Sequence, residues 1–170
     1  MLIFLIYLNL AFLARTEEST MPSIPKLPLS LYAIARVESN NGTNTSHTTV
    51  KTGIHANDRA IGLFGLMPKT VRHTITTDKS LSDYLYLTKL SSSKIEKLMK
   101  KNPEIGHRVA LSLWNKLLRR FNGDRVKMYH AWLNGAVGTQ KAIERGEDLS
   151  NHWYVIRVMK ARKRLKNHNL

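Results

Sequence analysis

Leu29 to Ser39, LSLYAIARVES, reads as one helix that carries a carboxylate to its own end. Leu31, Ile34, Ala35 and Val37 recur at helical spacing and give it a face suited to burial. Asn40-Asn41-Gly42 follows at once, and these residue types accept the left-handed backbone that stops a helix. Glu38 therefore stands among apolar neighbours at the negative end of a helix dipole, and both circumstances oppose ionisation. That favours a protonated acid near neutral pH. The competing reading is a glutamate in the last helical turn that merely faces water.

The 170 residues suffice for one domain with a core and would be cramped as two. With 42% hydrophobic and 23% charged residues the chain has globular proportions, so disorder is not the starting assumption. It has no cysteine, which removes disulfides, thiolate chemistry and cysteine zinc sites. Lys and Arg number 27 against 12 Asp and Glu, and the net charge of +15 draws the protein towards polyanions. Nucleic acid, anionic lipid and the acidic polymers of bacterial envelopes all qualify. Arg157, Lys160, Arg162, Lys163, Arg164 and Lys166 crowd near the C-terminus, a cluster that reads first as a solvated helix face and not as specific nucleic-acid recognition.

Residues 1–14, MLIFLIYLNLAFLA, are nearly all apolar and too short for a comfortable membrane span. They match the apolar part of a secretory signal peptide or a short hydrophobic anchor, the latter holding the protein to a membrane. No Lys or Arg precedes the run, and Phe12 stands where a small residue suits cleavage after Ala14. Residues 15–28, punctuated by Pro22, Pro25 and Pro28, read as a linker, which leaves 29–170 as a domain with a basic C-terminal helix.

Within that domain Asn40 to Asp58 is rich in Asn, Thr, Gly and His and reads as a long surface loop or a small β-hairpin around His47 to Thr52. A short helix is expected from Pro68, a packing run over Leu81 to Leu90, and a helix to Lys101 opened by a capping box of Ser93 with Glu96. Ile105, Val109, Leu113, Leu117 and Leu118 set a strong 3.6 period from Pro103 to Phe121. Helices over Asp124–Asn134, Thr139–Arg145 and Asn151–Lys166 complete the chain, with a break at Gly135. The fold class is mostly α.

Seven histidines, at 47, 55, 73, 107, 130, 152 and 168, form no metal-ligand pair at helical spacing, so no metal is expected. Gly62 and Gly65 are not followed by the Lys-Ser or Lys-Thr of a phosphate loop. Ser39 has no His at a recognisable triad spacing. A carboxylic acid mechanism is what remains, and here the sequence is specific. Glu38-Ser39, followed by Gly62-Leu63-Phe64-Gly65-Leu66-Met67-Pro68 and Thr70, resembles the E-S … G-L-M-Q-I-M-P-x-T signature of the lytic transglycosylase and goose-type lysozyme superfamily. Ile105-Gly106, Leu113 and Phe121-Asn122-Gly123-Asp124 are similar to that family's N-I-x-x-G … L … F-x-G-D segment. Ala131-Trp132-Leu133-Asn134-Gly135 with Lys141-Ala142-Ile143 resembles A-Y-N-A-G … K-A-I, and Tyr154-Val155 with Arg157-Val158 resembles Y-V-x-K-V.

The resemblance implies an α+β lysozyme-like fold and a peptidoglycan glycan strand as partner, cleaved at the MurNAc–GlcNAc β-1,4 bond. It makes Glu38 the general acid and then base, with 1,6-anhydro-MurNAc as product and no cofactor. Ser39, Gly65, Met67, Trp132, Asn134 and Tyr154 become candidate substrate-binding residues. Asp58, the sole acid between Glu38 and Asp78, is the candidate second carboxylate of a lysozyme-type hydrolase, which positions water. Its other reading is an Asx-turn former. The chain departs from the family pattern at Gly65, which replaces a glutamine, and at Trp132-Leu133, which replaces Tyr-Asn. Such an enzyme would be an exported monomer, periplasmic, envelope-bound or secreted, or a phage-borne lysis protein. The alternative of another class is a non-catalytic basic helical protein that binds cell wall, nucleic acid or a membrane surface.

Overall fold

The computed structural model describes residues 26–43, 47, 49–51 and 58–168. The apolar run 1–14 and all of the linker before Lys26 lie outside the described residues, as does much of the 44–57 loop. Helix α1, Leu29–Ser39, starts behind an extended Pro28 and ends on Asn40 at φ 48°. Asn41 and Gly42 continue the left-handed backbone at φ 56° and 89°, which is the conformation that halts a helix. Leu31, Ala33, Ile34 and Ala35 are buried, whereas Val37 is only half-buried. Leu31 and Ile34, both fully buried, each contribute about 1.5–3 kcal/mol.

After the loop come α2 (Pro68–Thr77), a 3-10 helix (Lys79–Lys89), α3 (Ser92–Lys101), α4 (Pro103–Arg120), α5 (Arg125–Glu144), a 3-10 turn (Leu149–Asn151) and α6 (Trp153–Asn167). Pro68 and Pro103 occupy first-turn positions, where a missing N–H costs no helical bond. Helix α4 touches α1, α2, α3, α5 and the first 3-10 helix and is the hub of the core. Its Trp114 sits 5.9 Å from the ring of Tyr129 and 6.5 Å from that of Trp132 on α5. The first and last helices, α1 and α6, form the most extensive helix pair, and the Tyr129 hydroxyl donates to Ser30 Oγ at 2.8 Å to fasten α5 to α1. The expected break at Gly135 is present as φ 73°, ψ 158° inside α5.

Two expectations fail. No β-strand forms among the described residues, so the β-hairpin after α1, and with it the β part of an α+β fold, is absent there; the structure is almost entirely helical. Only isolated antiparallel bridges join Thr49 to Arg59 and Ile61 to Leu66. The His47–Thr52 run offers Val50 as its one aliphatic residue, too little to give a two-stranded ribbon an apolar face to bury. The capping box also does not form, because α3 begins at Ser92 behind Ser91 without a side-chain cap. Glu96 reaches instead to Arg59 Nη2 at 2.7 Å and Lys100 Nζ at 3.0 Å. Two cations outcompete one backbone amide for a carboxylate.

Candidate active site

Helix α1 delivers Glu38 to a half-buried position between two other parts of the chain. On one side the buried Tyr154 hydroxyl, from the first turn of α6, donates to Glu38 Oε1 at 2.5 Å. On the other lies the turn Gly62-Leu63-Phe64-Gly65, closed by the Ile61–Leu66 bridge with N–H···O distances of 2.9 and 3.1 Å. Burial raises the Glu38 carboxyl above its ordinary value, against opposing pulls from the Tyr154 hydroxyl and the charge of Arg157. Burial, reinforced by the neighbouring carboxylate, holds the Tyr154 phenol well above its ordinary value, so it remains a proton donor in the hydrogen bond. A carboxyl that is inclined to keep its proton, yet touches a fixed donor, is chemically suited to give that proton up to a basic leaving oxygen.

The turn beside Glu38 is pinned at two carbonyls. Ser39 Oγ lies 2.9 Å from Leu63 O and 3.0 Å from Ala35 O, and it accepts from the Gly42 amide at 2.9 Å. Ser39 is buried, so its hydroxyl is consumed in holding both ends of the loop to α1. Trp132 Nε1 donates to Phe64 O at 3.1 Å and fixes the same turn to α5. Gly65, at φ +60°, faces the Glu38 side chain directly. Met67 is half-buried at the N-terminus of α2.

Asn134 is exposed, and its amide turns back on its own helix to His130 O and Nε2, both at 3.3 Å. His130 is itself buried, bonded to Thr139 Oγ1 at 2.9 Å and edge-on to His152 at 4.8 Å. Burial, together with His152, lowers the His130 imidazole below its ordinary value. Asp58 accepts from Ser92 Oγ at 2.8 Å in a separate cleft of about 300 Å³, whose walls include Arg59, Ser93 and Glu96 and not Glu38. No cluster of three or more potential metal ligands occurs among the described residues.

Arg157 stands in the sequence both in the basic tail and in the Tyr154-Val155, Arg157-Val158 match, and neither reading gives it a place beside Glu38, whose carboxyl its charge pulls downward. Its signal was the i, i+3 spacing from Tyr154, which puts both on one face of α6, where Arg157 also lies 5.9 Å over the Trp153 ring. The model of the transglycosylase SLT domain matches residues 16–154. The chain belongs to the transglycosylase SLT domain family. No curated protein and no solved structure matches it. Membership in the SLT family indicates a lytic-transglycosylase or lysozyme-like catalytic domain, and so a glycan-cleaving enzyme of that superfamily.

Proposed function

We propose that this SLT domain cleaves the MurNAc–GlcNAc β-1,4 bond of peptidoglycan as a lytic transglycosylase, with Glu38 as general acid and then general base. The observation that carries the reading is the half-buried Glu38 carboxyl, raised by burial and hydrogen-bonded to Tyr154. Glu38 gives its proton to the glycosidic oxygen as the C–O bond breaks and the GlcNAc alcohol leaves. The cationic anomeric carbon is trapped by the 2-acetamido oxygen of MurNAc. The Glu38 carboxylate then takes the proton of the sugar's 6-hydroxyl, whose oxygen displaces the acetamido group and closes the 1,6-anhydro ring. The acid regains its proton at the end, so no water is consumed.

A lysozyme-type hydrolase needs a second carboxylate to hold water opposite the scissile bond. Asp58 is the candidate, and its placement in a cleft that Glu38 does not line favours the lyase. Trp132 and Tyr154 act through the turn and the acid, and Met67 and Asn134 stand nearer solvent as sugar contacts. An exported, monomeric enzyme fits this substrate, and the charge of +15 favours retention on an anionic wall. No helix among the described residues is long and apolar enough to cross a membrane. The test is mass spectrometry of muropeptides released from purified sacculi. An anhydro terminus supports the lyase, a product heavier by one water the hydrolase, and no release by wild type refutes enzymatic cleavage in favour of a non-catalytic wall-binding protein.

A further inference from the structure

We infer that Gly65 is a positioning residue for the acid: the bare α-carbon of the 62–65 turn is the seat of the Glu38 carboxyl, and a side chain there would evict it. The inference rests on the role proposed for Glu38 and concerns a position where the family signature carries a glutamine. A Cβ built on Gly65 would lie 2.7 Å from the Glu38 carboxyl carbon and 3.2 Å from its Cγ, and would overlap Oε2. The atoms it meets are the functional end of Glu38, so the cost of any side chain falls on the acid. Nor can the turn withdraw cheaply, because its neighbouring carbonyls are held by Ser39 Oγ and Trp132 Nε1 at 2.9 and 3.1 Å. From this seat the other carboxyl oxygen reaches Tyr154 at 2.5 Å. Loss of the glutamine side chain and retention of the acid's placement are therefore one structural fact. The room an amide would fill is taken by the catalytic group itself.

The same turn contains its own control. Gly62 has a similar positive φ, +70° against +60°, but a Cβ on it would meet only Met99 Cε at 3.9 Å, an ordinary contact. Asparagine tolerates this region best among residues with a side chain, and the chain already uses it so at Asn40, Asn41 and Asn122. Gly65→Asn and Gly62→Asn thus both put a side chain at positive φ and differ in whether they strike Glu38.

The experiment measures lysis of purified sacculi against pH for wild type, Gly65→Asn, Gly62→Asn and Glu38→Gln, with thermal melts of each and NMR titration of the 13C-labelled glutamate carboxyls. Gly65→Asn is expected to lower the rate by on the order of a hundredfold, the loss typical of an acid displaced by about 1 Å. The alkaline limb of its activity should also move to lower pH, because a carboxyl pushed out of its buried seat returns towards its ordinary value. Gly62→Asn should match wild type in the pH limb, and its melt shows what positive φ alone costs a side chain in this turn. Equal pH limbs and equal rates in the two asparagine variants would overturn the inference, while Glu38→Gln, if inactive, would leave the general-acid reading standing. Should Glu38→Gln retain lysis, that reading falls, and the carboxyl titration alone decides whether Gly65 seats Glu38. A melt that shows Gly65→Asn unfolded passes the decision to Gly65→Ala, read against Gly62→Ala by the same titration.

Discussion

Tyr154→Phe is the sharpest perturbation of the candidate site, because it deletes one hydroxyl and leaves a buried ring in place. The ring is 2% exposed and keeps its packing, so the loss is confined to the 2.5 Å bond to Glu38 Oε1. The bond joins neutral partners when Glu38 is protonated and is then worth about 0.5–1.5 kcal/mol, rising to about 1.5–3 kcal/mol when the carboxylate is charged. The variant should therefore lose more stability at about pH 8 than at about pH 4, by about 1 kcal/mol. At about 2–4 °C per kcal/mol for a chain of this length, the difference is readable in thermal melts. The hydroxyl favours the ionised carboxyl, so its removal raises the Glu38 pKa further. The alkaline limb of lysis should move to higher pH, while the maximal rate falls about tenfold from loss of positioning. Equal destabilisation at both pH values, with an unmoved limb, would refute the idea that Tyr154 acts on an ionising Glu38.

Other outcomes follow from the same geometry. Glu38→Gln should abolish release of muropeptides from sacculi. Its stability should also fall less than that of wild type as pH rises through the Glu38 titration. The folded protein holds the Glu38 proton more tightly than the unfolded chain, so the wild-type contribution is complete below the unfolded pKa and is lost above the folded one. Ser39→Ala removes a buried hydroxyl that serves Leu63 O, Ala35 O and the Gly42 amide, and denaturant titration should report a loss of about 1–3 kcal/mol. For Glu96, burial pushes the carboxyl up, but the bonds from Arg59 and Lys100 outweigh it and the net shift is downward. Its contribution is present above the unfolded pKa and lost as pH falls through the folded pKa, so Glu96→Gln should narrow the stability gap between neutral and acid pH in urea titrations. Asp58→Asn should leave an anhydro product unaltered in muropeptide spectra, since Asp58 is bonded to Ser92 in a cleft apart from Glu38.

The helices were legible where one strong period or one punctuating residue decides the matter. Pro103 and the leucine repeat after it place α4 to within a residue, and Gly135 marks the break inside α5 because positive φ is costly to other residues. The hairpin expected after α1 fails because Thr and Val favour extended backbone locally, whereas a ribbon needs an apolar face and the run has little to bury. The capping box failed because Arg59 lies 37 positions from Glu96, and proximity across such a separation leaves no periodic trace. At the candidate site, the environment of Glu38 was readable from its apolar helix and its place at the helix end. Neither the Tyr154 contact, 116 positions away, nor the fit of the carboxyl onto Gly65 could be read without the fold. Gly65 read as a missing amide, whereas its bare backbone is what the acid rests on.

One oxygen atom, Ser39 Oγ, holds both Gly42 and Leu63. The chain between those residues is thus tied at both ends to one atom, and its returning arm is tied again where Arg59 meets Glu96 and Ile61 bridges Leu66. Engineers could splice foreign peptides between Gly42 and Asp58 and leave the surroundings of Glu38 in place, as long as the serine hydroxyl, its two clients and the Ile61–Leu66 bridge are kept.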